Sequence, residues 1–281
     1  TADNVLGAIE RHRVTVASLV PTVVIRTLQE GDLAAHDLST LRLIFYGSAR
    51  LPPAWVRRAM ESFDGVDFQQ GYGLTETASG GTTLDPPEHR AARASGEFGR
   101  LSSAGQPMMG IDLRIVDDDG DEMPTGEVGE IAMRGPNIAS GYFNLPEETA
   151  KTFRNGWFHT GDLGRVDEAG YLYIVDRKKD MVVTGGENVY SSEVETILHQ
   201  HPKVHEAAVI GVPDDRYGEA LFAVIAPTPG ETLTTDEMIS YCRGRIGGYK
   251  IPRRMTLVET LPKNAVGKVA KNELRRIYGV D

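Results

Sequence analysis

Apolar positions in the opening stretch DNVLGAIERHRV recur with the spacing of an amphipathic helix, and TVASLV after it reads as a strand. The same alternation continues: PTVVIRTLQE and PPAWVRRAMESF are helical patterns opened by proline, whereas LRLIFYGS and VDFQQGYG are β-branched or aromatic runs. Strands alternating with helices predict an α/β fold with a parallel sheet and crossover helices over residues 1–95. From Gly96 to about Asp176 the pattern shortens to DLRIVDDDGDEM, GEVGEIAMRG and DLGRVDEAGYLYIVD, which predicts a strand-rich, largely antiparallel region with turns at Asp119-Gly120 and Ala169-Gly170. Beyond Arg177 come a hairpin, DMVVTGGENVY, and a helix, SSEVETILHQHP, started by Ser191 or Ser192 ahead of Glu193 and Glu195. Strands VHEAAVIGVPD and ALFAVIAP, a helix from Thr235 to Ile246 and a strand RRMTLVE complete a small α+β unit. The charged run DRKKD marks the boundary, giving expected domains at 1–176 and 177–281.

Composition narrows the function. With 40% hydrophobic and 25% charged residues, 281 residues are enough to bury a core or two. A formal charge of -10 argues against a nucleic-acid partner, because phosphate neutralisation needs a basic face. Bases gather locally at Arg177, Lys178 and Lys179 and from Arg243 to Arg254, which leaves room for small anionic ligands. A single cysteine, Cys242, rules out an intramolecular disulfide and fits a reducing, cytoplasmic setting. No apolar run has the length of a membrane span, and no basic-then-apolar signal opens the chain. Thr1 stands almost directly on a helix, so the natural protein is expected to start earlier.

Candidate chemistry concentrates at predicted strand ends. In QGYGLTETASGG, Gly71 and Gly73 flank Tyr72 where a strand stops, and in open α/β sheets ligands bind beyond the carboxyl ends of strands. A tyrosine there can stack on a base, while Thr75 and Glu76 can address a phosphate and its magnesium; the plain alternative is a surface turn. FYGSARLPP opens a second strand end at Gly47 and Ser48, equally readable as a generic βα turn. Asp162 and Arg177 bracket an apparent hairpin and offer an acceptor and a fork of donors for ribose hydroxyls, or are simply exposed turn residues.

Other patterns fail on inspection. TASGGTT lacks the lysine of a phosphate loop, and Gly267-Lys268 is followed by Val269 with no glycine five positions earlier, so neither is a Walker motif. Lys268 on its glycine-flanked loop can still bring a mobile charge to a phosphoryl oxygen. His199, His201 and His205 lack companion metal ligands and read as surface residues. No serine has the Gly-x-Ser-x-Gly elbow of a hydrolase.

Taken in order, YGLTET, GEVGEIAMRG, GWFHTGDLG, DRKKDMVVTGGENVYSSEVE and LPKNAVGK closely resemble the adenylate-forming superfamily, specifically its acyl-CoA synthetases, over essentially the whole chain. The resemblance implies the remainder of a large α/β adenylation domain with a strand-rich subdomain, followed by a small mobile carboxy-terminal domain. It implies ATP, Mg2+ and coenzyme A as cofactors and a carboxylic acid as substrate. By the same resemblance Tyr72 stacks on adenine between Gly71 and Gly73, Thr75 touches phosphates, and Glu76 holds magnesium. Gly47, Ser48 and Ala49 line the loop between adenine and acyl pockets, although Arg50 stands where family members often have proline. Asp162 and Arg177 bind the ribose, Ile174 packs near the adenine, Lys179 is the hinge, and Lys268 engages carboxylate and α-phosphate during adenylation. Gly185 and Gly186 then let pantetheine pass; Lys250, Arg253 and Arg254 in YKIPRR are expected, on their charge and position, to hold CoA phosphates.

The implied reaction forms an acyl-adenylate, after which the small domain swings about Lys179 and the CoA thiol displaces AMP. Whole family members carry a further amino-terminal region with a phosphate-clasping Thr/Ser/Gly-rich loop, so that region is an expected partner and the chain alone is expected to be a poor catalyst. Loading of a carrier protein, or a non-catalytic nucleotide- or partner-binding remnant, are the alternatives.

Overall fold

The computed structural model describes residues 1–264 and 267–278, which fall into two compact units: residues 1–160 with 164–174, and residues 161–163 with 175 onward.

In the first unit the chain runs through α1 (Ala2–His12), β1 (Val16–Leu19), α2 (Pro21–Glu30), β2 (Leu43–Gly47), α3 (Pro53–Ser62), β3 (Asp67–Tyr72), β4 (Thr82–Leu84), α4 (Pro86–Ser95) and β5 (Gln106–Pro107). Each of α2, α3 and α4 begins on a proline whose fixed φ suits the first helical turn and whose missing N–H is unused there. The sheet order is β1-β2-β3-β4-β5, parallel across β1, β2 and β3 and antiparallel across β3, β4 and β5. Leu6, Val24, Ile44, Tyr46, Val56 and Phe68 from these helices and strands share one buried core.

A second sheet takes the order β10-β9-β7-β6, built from β6 (Asp112–Val116), β7 (Gly129–Arg134), β9 (Trp157–Val166) and β10 (Leu172–Arg177), with β8 (Phe153–Arg154) on β9. Asp117 Oδ1 accepts the N–H groups of Asp119 and Asp121, and Asp167 Oδ1 those of Ala169 and Tyr171, while Gly120 and Gly170 take positive φ of 90° and 81°. The region expected to be strand-rich also contains a short helix, α5 (Pro146–Thr152), again proline-initiated.

The second unit holds β11 (Val182–Thr184), β12 (Glu187–Val189), α6 (Ser191–His199), β13 (Val204–Asp214), β14 (Gly218–Pro227), α7 (Thr235–Cys242), β15 (Arg254–Leu257) and α8 (Lys271–Tyr278). Its sheet order is β12-β11-β14-β13, with β15 parallel on β14. The long pair β13 and β14 is buried on both faces: Ala207, Val209, Leu221 and Ala223 pack with Val194 and Met238, whereas Ala208, Ile210, Phe222 and Val224 pack with Leu274. That double burial explains the near-continuous apolar runs AAVIGV and ALFAVIAP. Helix α7 ends at Cys242 rather than Ile246, because Gly244 turns the chain at φ 76° and the N–H groups of Arg245 and Ile246 fold back onto the Cys242 carbonyl. His201, expected at the surface, is only 6% exposed, edge-on to Tyr241 and 3.6 Å from Glu237; His199 and His205 are exposed.

Candidate functional site

In the first unit the parallel register pairs Gly47 with Gly71, so the carboxyl ends of β2 and β3 finish side by side. No side chain fits between them: a Cβ on Gly47 would lie 2.6 Å from the Gly71 carbonyl, and one on Gly71 would strike the Phe45 ring at 2.4 Å. Beyond β2, Ser48 and Ala49 are exposed, with Ser48 at φ 68°, a left-handed conformation that costs a non-glycine residue strain. Beyond β3, Gly73 passes so near the backbone of Ser79 that a Cβ would sit at 2.5 Å. Tyr72 and Ile174 both pack against the apolar cluster of Ile131, Met133, Phe158 and Leu172. Gly47, Ser48, Ala49, Gly71, Tyr72, Gly73, Thr75 and Glu76 thus occupy adjoining strand ends and the loops that leave them.

Thr75, exposed, and Glu76, half-buried, lie on a 3-10 turn, residues Thr75–Thr77, closed by the Thr77 hydroxyl on Leu74. A distant segment fixes this turn. Asn137 Nδ2 donates to the carbonyls of Thr77 and Gly80, each at 2.7 Å; Ala139 N–H donates to the Glu76 carbonyl at 2.8 Å; and the Tyr142 hydroxyl donates to Glu76 Oε1 at 2.6 Å. Burial, and then the Glu76 carboxylate, push the Tyr142 phenol up to about 12, so it stays a donor at neutral pH. Asn137, Ala139 and Tyr142 were missed in the sequence; RGPNIASGYFN, with Gly141 beside Tyr142, is the only local signal.

Magnesium is held through one or two carboxylates together with phosphate oxygens and water. Glu76 fits that role, with one oxygen tied to Tyr142. Among the described residues no group of three or more His, Cys, Asp or Glu side chains could form a separate metal site.

In the second unit the buried Asp162 faces the exposed Arg177, Nε to Oδ1 at 3.6 Å. Lys179 is exposed on the 3-10 turn Lys178–Asp180; its carbonyl accepts Arg275 at 3.1 Å, and Arg275 also reaches Asp180 at 2.5 Å. Gly185 and Gly186 form the β11-β12 turn at φ 62° and 85°, the two left-handed residues that a tight hairpin requires. The Gly185 N–H donates to the Tyr217 carbonyl, and the Arg253 guanidinium lies 3.9 Å from the Tyr217 ring centroid, so hairpin and arginine share one tyrosine.

Lys250 is placed differently, with Nζ bonded to both Glu193 oxygens at 2.7 Å. Burial works against its charge, but Glu193 outweighs it and holds the ammonium above the ordinary lysine value. Lys268 is exposed on the loop between β15 and α8, where Gly267 takes φ 79° and the Asn264 side chain accepts the Lys268 N–H at 2.9 Å.

Comparison with known proteins places the chain in a family. The family described as AMP-binding enzyme matches residues 1–143, and the AMP-binding enzyme C-terminal domain matches residues 193–268. A feruloyl-CoA synthase of Amycolatopsis sp is 42% identical over 275 residues, 98% of this chain and 54% of that protein. Among solved structures, the amide bond synthetase McbA from Marinactinospora thermotolerans superposes with a TM-score of 0.86 at 36% identity, covering 99% of this chain and 55% of that one. The o-succinylbenzoate coenzyme A synthetase MenE from Bacillus subtilis, solved with ATP and a magnesium ion, gives a TM-score of 0.84 at 35% identity over 98% of this chain and 54% of that one. The chain spans about half the length of the curated relatives it matches.

Proposed function

From the premise that this chain belongs to the AMP-binding enzyme family, we propose that the whole protein is an ATP-dependent acid-thiol ligase, which activates a carboxylic acid as its acyl-adenylate and delivers the acyl group to coenzyme A. The observation that carries this reading is the pair of strand ends at Gly47 and Gly71, with Tyr72 against an apolar cluster and the Glu76 carboxylate fixed four residues on.

In the first step a carboxylate oxygen attacks the α-phosphorus of ATP; the new P–O bond forms as the bond to pyrophosphate breaks. Tyr72 and Ile174 offer the adenine a flat apolar border, Thr75 a hydroxyl to the phosphates, and Asp162 with Arg177 an acceptor and a donor for the ribose. Lys268 offsets charge on the transferring group. Magnesium, held by Glu76, supplies Lewis-acid neutralisation of the phosphate charge when bound. In the second step the thiol attacks the acyl carbonyl and AMP departs with the bonding electrons. Lys179 is the proposed pivot between the two steps, with the side-chain-free Gly185 and Gly186 proposed to let pantetheine pass; a Cβ would meet nothing within 4 Å at Gly186 and the Tyr217 ring at 3.2 Å at Gly185. The phosphate clasp and much of the acyl pocket are assigned to sequence outside these 281 residues, and the chain alone is proposed to turn over poorly.

A second reading keeps the adenylation and changes the acceptor to a carrier-protein phosphopantetheine or an amine. It is favoured by the likeness to an amide bond synthetase and by Lys250, whose bonds to Glu193 must be exchanged before it can hold a CoA phosphate.

The test is acid-dependent pyrophosphate release by the whole protein with ATP, magnesium and a panel of aryl and fatty acids, followed by addition of CoA, a phosphopantetheinylated carrier protein or an amine. Release with one acid class and a thioester with CoA is the expected result. An adenylate discharged only by carrier protein or amine selects the second reading, and no release with any acid overturns both.

A further inference from the structure

We propose that Tyr142 is a positioning residue for Glu76: its hydroxyl holds one carboxylate oxygen so that the other is presented to magnesium. The proposal rests on the assignment of Glu76 as the metal ligand.

The geometry is built for that task. Glu76 and Tyr142 are 66 positions apart, and their 2.6 Å hydrogen bond is the last of a series of contacts by which residues 137–142 grip the turn at 76–80. Tyr142 is itself anchored at both ends. Its N–H donates to Thr149 Oγ1 at 2.9 Å, while the Thr149 hydroxyl donates to the Leu145 carbonyl at 2.8 Å at the start of α5. Its ring meets Phe153 edge-on at 5.6 Å, and Phe153 stacks at 5.1 Å on Phe158, which is 2% exposed. Gly141 at φ 151° lets the chain pass Thr149, where a Cβ would lie 2.5 Å from Cγ2.

A glutamate on a short turn has several rotamers, and a carboxylate free to choose among them offers magnesium no fixed direction. Magnesium demands near-octahedral geometry, so a partner that fixes the carboxylate plane raises affinity without touching the ion. The Tyr142 phenol, locked to α5 and to the core of the second sheet, is such a partner.

The test uses the whole protein with Mn2+ as a paramagnetic substitute, its binding followed by electron paramagnetic resonance with and without ATP. Tyr142→Phe keeps the ring on Phe153 and removes the hydroxyl. It should weaken Mn2+ binding in the presence of ATP by about tenfold, leaving metal-free ATP affinity and the melting temperature unchanged; Glu76→Gln should weaken it further. If Tyr142→Phe binds Mn2+ as the parent does while Glu76→Gln does not, the positioning role is wrong and Glu76 stands as ligand. If Tyr142→Phe loses metal-free ATP affinity or thermal stability in step with Mn2+, the tyrosine is structural and the proposal falls. If Glu76→Gln binds Mn2+ undiminished, or the unsubstituted whole protein binds none with ATP, the ligand assignment fails and takes the proposal with it.

Discussion

The Ser191 hydroxyl donates to Asp176 Oδ2 at 2.8 Å, and the same oxygen accepts the Ser192 N–H at 3.1 Å. Asp176 therefore supplies, from the end of β10, the acceptor that the first turn of α6 needs and a local cap would otherwise provide. Asp176→Ala should cost about 1–2 kcal/mol, the scale of a lost helix cap, read as a lower urea midpoint, and Asp176→Asn should restore part of it.

Lys271 extends this cluster. Its Nζ lies 2.7 Å from the Ser191 hydroxyl and 2.8 Å from Glu195 Oε1, while Glu195 also accepts the Val209 N–H at 2.8 Å. Burial pushes the Glu195 carboxyl above its ordinary value against the pull of Lys271. Lys271→Met strands that carboxylate without its cation, and a loss of about 3 kcal/mol is expected in chemical denaturation. Glu195→Gln combined with Lys271→Met should recover part of it.

His89 predicts a pH dependence. Its Nε2 is 2.9 Å from the Tyr46 hydroxyl and its Nδ1 2.9 Å from the Asp85 carbonyl; burial lowers its pKa below 6.5 although the Asp85 carbonyl pulls the other way. The folded chain then binds fewer protons than the unfolded one, so this contribution is fully present above about 6.5 and is lost as pH falls toward the folded value. Melting curves between pH 7 and 5 should show the decline, and His89→Gln should flatten it.

Gly47 tests the strand ends. Gly47→Ala forces a Cβ to within 2.6 Å of the Gly71 carbonyl, a clash with backbone that no rotamer relieves. Nucleotide affinity should fall at least tenfold, measured by isothermal titration, with a stability loss of about 1–3 kcal/mol.

What could be read in the sequence was local. Pro21, Pro53 and Pro86 open helices because the constraint lies in the residue itself, and Gly120, Gly170, Gly185 and Gly186 mark turns for the same reason. The strand-end site was legible through QGYGLTET and FYGS, whose glycines are needed where β2 and β3 lie in register. Contacts that cross the chain were not. Ser191 and Ser192 resemble helix caps in sequence, yet their hydroxyls turn to Asp176 and the Val175 carbonyl. The grip of Asn137 and Tyr142 on the 76–80 turn leaves no periodic trace, because hydrogen bonds spanning 57 to 66 positions depend on tertiary placement. His201 looks polar and exposed beside Pro202, but Tyr241 and Glu237 reach it from α7, an element that sequence spacing does not connect to it.

The bond between Arg275 and Asp180 brings the first turn of the second unit against its last helix, 95 positions later. A body whose first turn and last described helix already touch can be re-cut. Joining the region after α8 to the residues before Asp180 through a short linker, and opening the chain instead at the exposed Gly230 turn, should yield a circular permutant of the small unit that folds with its sheet intact.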